Sequence, residues 1–84
     1  NEVMEIRPLA AKVVANTSGN KSTIGNAQCV YICATADDLI TNVATGGTIQ
    51  MHENQSIVII KEKFEELFSG ANTTHFTKIA YPRG

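Results

Sequence analysis

The chain is poor in the residues that reactive centres are built from. It has two cysteines, Cys29 and Cys33, and two histidines, His52 and His75, which are isolated from the cysteines and from each other and so lack the compact spacing of a four-ligand structural zinc site. No serine or cysteine motif lies near either histidine, so neither has the nucleophile or orienting group that a general base needs. The paired acids Asp37 and Asp38 lack the Asp-x-Asp-x-Asp-Gly spacing of a calcium loop and read as a turn with solvated carboxylates. Gly46-Gly47 lacks the lysine and the strand-to-helix setting of a phosphate loop. No catalytic, metal or cofactor residues are therefore expected, and the chain is not read as an enzyme.

Other absences bound the class. No apolar run approaches the ~20 residues of a membrane-spanning helix, and Glu2, Glu5 and Arg7 interrupt any signal-like stretch in Asn1–Ala10. Charge of one sign is missing too. Seven Lys and Arg against eight Asp and Glu give a net charge of −1, which offers no reason to expect nucleic acid or an anionic membrane as partner.

What remains is strand vocabulary. With 43% hydrophobic and 18% charged residues in 84, the chain has the composition of one small globular domain. Strands are expected over Ala11–Ala15, weakly over Lys21–Gly25, then over Gln28–Ala34, Leu39–Ala44, Thr48–His52, Ser56–Lys61 and Phe76–Tyr81. They are separated by Gly, Asn, Ser and Asp turns roughly every 8 to 12 residues, the spacing of an all-β fold. Gln28–Ala34 is apolar on both alternating faces and reads as a central strand. If so, Cys29 and Cys33 lie roughly 13 Å apart and stay free thiols. Gly46-Gly47 reads as a tight hairpin of the primed type.

One segment changes period. Phe64, Leu67 and Phe68 fall at i, i+3 and i+4, which predicts a short helix over Glu62–Ser69, its first turn favoured by Glu62, Glu65 and Glu66 and its end set by Gly70. Lys61, Glu62 and Lys63 read as gatekeepers flanking the aggregation-prone Ile57-Val58-Ile59-Ile60 window. The predicted core is Val13, Val30, Ile32, Ile49, Met51, Val58, Ile60, Phe64, Leu67 and Ile79, so Ile60→Ala is expected to cost about 2 to 5 kcal/mol. Four Asn-x-Ser/Thr sequons, at Asn16, Asn20, Asn54 and Asn72, lie in turns that select these residues for backbone reasons.

The fold class expected is therefore all-β, a small antiparallel β-sandwich or β-barrel of six to seven strands with one short helix. Residues 1–9 are expected to form an extended N-terminal arm, because Pro8 disfavours helix, and residues 10–84 a single β domain.

The order of features resembles small structural proteins of tailed bacteriophages, especially phages of marine and aquatic bacteria. The resemblance rests on Leu9-Ala10-Ala11-Lys12-Val13, Asn-Ala-x-Cys-Val-Tyr at Asn26 to Tyr31, Gly47-Thr48-Ile49, the turn and aliphatic strand from Glu53 to Lys61, the amphipathic segment, and Thr77-Lys78-Ile79-Ala80-Tyr81. Lys63 to Phe68 departs from it, being more helical than the short polar connection of such proteins. The resemblance implies a non-enzymatic virion component made in the host bacterial cytoplasm, most simply a capsid decoration or cement protein. Its partners would be the major capsid protein or other virion proteins and copies of itself. Tail or head-tail connector component is the alternative position, and a cellular β-barrel binding module the alternative class. In this reading the interface residues are Val3, Met4, Ile6, Arg7 and Leu9 of the arm, with Gln50 and His52 on an exposed sheet face.

Overall fold

In the computed structural model, which describes residues 6–15 and 18–81, the chain folds as six strands in two antiparallel sheets of three, a sandwich-like all-β arrangement. Strands β1 (Cys29–Ala34), β4 (Ser56–Ile60) and β6 (Thr74–Lys78) form one sheet in the order β4-β1-β6. Strands β2 (Asp38–Asn42), β3 (Thr48–Met51) and β5 (Leu67–Ser69) form the other in the order β3-β2-β5. The radius of gyration is 11.9 Å, the value a compact chain of this length should have. Among the described residues no helix is long and apolar enough to cross a membrane.

The register explains the core. Pairing of Val30 with Ile59, Ile32 with Ile57 and Ile32 with Phe76 places Val30, Ile32, Ala34 and Phe76 on one face of the first sheet. There they pack with Ile40, Met51 and Leu67 of the second, all fully buried or nearly so, with Ile57 and Ile59 packed against them partly exposed. Val30, Ile32, Met51, Leu67 and Ile79 are buried as expected, and Val58 is half-buried. Four expected core residues are not: Val13, Ile49, Ile60 and Phe64 are exposed, Ile60 at 64% and Phe64 at 72%. Phe76 is the large side chain that fills the centre in their place.

The helix expected over Glu62–Ser69 does not form. Its first turn survives as an isolated turn in which the Glu62 amide donates to Glu65 Oε1 at 3.0 Å and the Glu65 amide to the Glu62 carbonyl at 3.1 Å. Beyond it, Leu67–Ser69 pairs with Asn42, Thr41 and Ile40 of β2. A two-turn helix is marginal alone, whereas the free edge of β2 offers ladder hydrogen bonds, and burial of both Leu67 and Ser69 follows the period of two. Gly70 is therefore no helix stop. A Cβ there would meet Asp38 Oδ1 at 3.0 Å, a close approach that glycine permits.

The predicted strands before β1 reduce to single bridges. Pro8 bridges Ile79, with Leu9 N–H on the Lys78 carbonyl and Ala80 N–H on the Arg7 carbonyl, so the missing Pro8 donor is not needed. Val13 then exchanges hydrogen bonds with Phe76, Ser69 N–H donates to the Ala15 carbonyl, and Ser22 exchanges bonds with Leu67. One segment thus follows the β6 edge of the first sheet and crosses to the β5 edge of the second, joining the sandwich along that side. Between Ser22 and β1 the backbone turns left-handed at Ile24, Gly25 and Asn26, with Ile24 held there by its buried side chain. The β2–β3 connection is also longer than a two-residue primed turn. Asn42 N–H donates to the Gly47 carbonyl across the loop Val43–Gly46, in which Gly46 alone has a positive φ, 75°.

Candidate functional site

The most elaborate polar cluster is centred on Asp38, which is 8% exposed rather than solvated. Its Oδ1 accepts from the Leu39 and Gly70 amides, both at 2.8 Å, and its Oδ2 from Thr74 Oγ1 at 2.8 Å and the Ala71 amide at 3.3 Å. Burial alone would push this carboxyl up, but the donors from Thr74, Gly70, Leu39 and Ala71 outweigh it and hold the pKa below the ordinary aspartate value. A carboxylate with its acceptor sites filled by the protein is poorly placed to take a substrate proton. Asp38 fastens β2 to the β5–β6 connection and to β6. The neighbouring Asp37 is exposed and accepts the Glu53 amide at 2.8 Å, fixing the turn between β3 and β4.

Lys61 is the second correction, since it is not a solvated gatekeeper but 4% exposed. Its Nζ donates to the carbonyls of Glu62 at 3.2 Å and Lys63 at 3.5 Å, tying down the turn that leaves β4. Desolvation pushes its pKa down, partly opposed by the negative charge of Glu65. The other acids expected in a helix start are used differently, Glu65 Oε1 accepting from Asn42 Nδ2 at 3.2 Å and Glu66 lying 3.9 Å from Lys21 Nζ.

Both cysteines are free thiols, Cys29 buried and Cys33 half-buried. Burial pushes the Cys29 thiol up, against a lowering contribution from the Val30 backbone, so it is the less reactive thiol form that is favoured. The register also brings together a pair that looked isolated in the sequence: Cys33 stands directly opposite His75 on the outward face of the first sheet. No group of three or more potential metal ligands occurs among the described residues.

The expected interface residues do not form one patch. Val3 and Met4 lie outside the described residues; Ile6, Arg7 and Leu9 are exposed along the β6 edge. Gln50 and His52 are exposed on β3 and just beyond it, in the other sheet and at its opposite edge. Gln50 is also tied back to the fold, its Nε2 donating to the carbonyls of Asp38 at 3.0 Å and Met51 at 2.9 Å.

The feature missed at the sequence level lies between β3 and β4, the two strands that end their sheets on the side away from the N-terminal segment. An open groove of about 210 Å³ runs there, lined chiefly by Ile40, Ile49, Ile59, Ile60 and Leu67. Ile49, at 42% exposure, and Ile60 form its rim. The volume is below the roughly 300–1,000 Å³ of usual small-molecule sites. The aliphatic run of β4 was a visible signal, but its role as an edge strand depends on strand order, which periodicity does not report. Set against known proteins, the chain matches no family model, no curated protein and no solved structure.

Proposed function

We propose that this chain is a non-enzymatic structural protein that works by being gripped at its surface, and that its setting is a virion, where it decorates or cements the shell by binding the major capsid protein. The observation that carries the assembly reading is the distribution of side chains. Asp38 and Lys61 are spent on internal hydrogen bonds, while Ile49, Ile60 and Phe64 are left exposed on and after the strands that bound the open side of the sandwich. Exposed apolar surface on an edge strand suits protein contact better than catalysis. The virion setting is supported by the resemblance of the sequence to small structural phage proteins. A tail or connector position would use the same surfaces.

The test is an inventory of proteins, with copy numbers, in purified virus particles from cells that make this chain. Many copies per particle, in fixed ratio to the major capsid protein, are expected. Its absence from particles, with recovery as a monomer carrying a small ligand, would instead establish the cellular binding module.

A further inference from the structure

We infer that the free edge of β4 pairs with β4 of a second copy, antiparallel and about a two-fold axis at Val58, merging two three-stranded sheets into one of six. The inference deepens the assembly reading by naming one partner and the register of contact. It begins from hydrogen-bond parity. Ala34 N–H donates to the Gln55 carbonyl and Lys61 N–H to the Gln28 carbonyl, so the residues of β4 that turn their backbone groups toward β1 are Ile57 and Ile59. Ser56, Val58 and Ile60 turn theirs outward. β1 lies on one side of β4, and among the described residues no strand pairs with the other.

Edges of this kind are normally blunted by charge, proline, a bulge or shortness. β3, the corresponding end strand of the other sheet, is four residues long and carries Thr48 and Gln50 at its outward-bonding positions. β4 is Ser-Ile-Val-Ile-Ile, with neither a charge nor a proline.

Only registers that pair outward-bonding residues satisfy the new ladder, and the one centred on Val58 overlaps the whole strand. It sets Val58 against Val58 of the second copy and Ser56 against Ile60. On the inner face it sets Ile57 against Ile59 twice, and these are the two partly buried isoleucines that border the core. The contact is isologous and uses up the aliphatic edge of each copy, so assembly through it stops at two.

Sedimentation of the isolated chain from about 1 µM to about 1 mM, the range of modest interfaces, should show a monomer–dimer equilibrium. Val58→Lys would set two ammonium groups against each other on the outer face and should raise the dissociation constant at least about tenfold while the circular dichroism spectrum stays unchanged. A monomer at every concentration overturns the proposal, whether the edge is idle or reserved for another protein. So does a dimer indifferent to Val58→Lys. A dimeric chain absent from particles would refute the virion reading alone, and a particle component that is monomeric in solution would refute the dimer alone.

Discussion

Asp38 illustrates how a residue that looks like chemistry becomes structure. Removing its carboxylate strands the Gly70 and Ala71 amides and the buried Thr74 hydroxyl, so Asp38→Ala should cost about 3 kcal/mol in denaturant melts, the scale for losing an ionised acceptor of one buried and several part-buried donors. Because its pKa in the folded chain lies below the unfolded value, the stability it contributes is fully present above about pH 4 and is lost as the pH falls through the folded pKa. Acid titration of the parent should therefore show a loss of stability below pH ~4 that is smaller in Asp38→Asn; equal acid sensitivity in the two would remove Asp38 as its source. Gly70→Ala should act on the same cluster, since the added methyl meets Asp38 Oδ1 at 3.0 Å. The aromatic residues divide as cleanly. Phe76→Ala should cost about 3 to 5 kcal/mol, whereas Phe64→Ser should stay within about 0.5 kcal/mol, as surface changes do. With Ile60 at 64% exposure, the sequence-based expectation for Ile60→Ala is withdrawn and a loss below about 1 kcal/mol is predicted for the isolated chain.

At the level of elements, the strands that were legible are those whose signal is local. Gln28–Ala34 is apolar on both faces and becomes β1, paired on both sides; Thr48–His52 and Ser56–Lys61 each contain a strand of the structure, and Leu39–Ala44 overlaps β2, which starts one residue earlier and ends at Asn42. The misread elements are settled by partners far along the chain. Leu67–Ser69 has helical spacing with Phe64, yet it is held by β2 on one side and by Ala15 and Ser22 on the other. Ala11–Ala15 is divided between two sheets, so only Val13 retains a ladder contact of strand type with β6. Asp38 reads locally as a solvated turn residue because nothing near it in the sequence announces that Gly70, Ala71 and Thr74 will converge on it. The groove and the bare edge of β4 were illegible for the same reason, strand order being a property of the whole chain. Replacing Leu67 by proline would separate the two readings of its segment, since both its amide and its carbonyl bond Ser22: strong destabilisation is expected here, while a surface helix with Leu67 near its end would lose less.

For the whole molecule, the N-terminal segment and the edge of β4 lie on opposite sides of the sandwich, which divides their roles. Residues 7–9 already pair with β6, so deletion of residues 1–9 should lower stability measurably as well as impair incorporation into particles. Incorporation at the parent level would refute a role for the arm in assembly. The central claim, that this scaffold acts through an edge left open for a neighbour, is tested most directly by amide hydrogen exchange along β4, read residue by residue by NMR at low and high protein concentration. In dilute solution Ile57 and Ile59 should be protected by β1 while Val58 and Ile60 exchange quickly, and raising the concentration should bring Val58 and Ile60 to the protection of their neighbours. Rapid exchange at Val58 and Ile60 at every concentration would contradict the account.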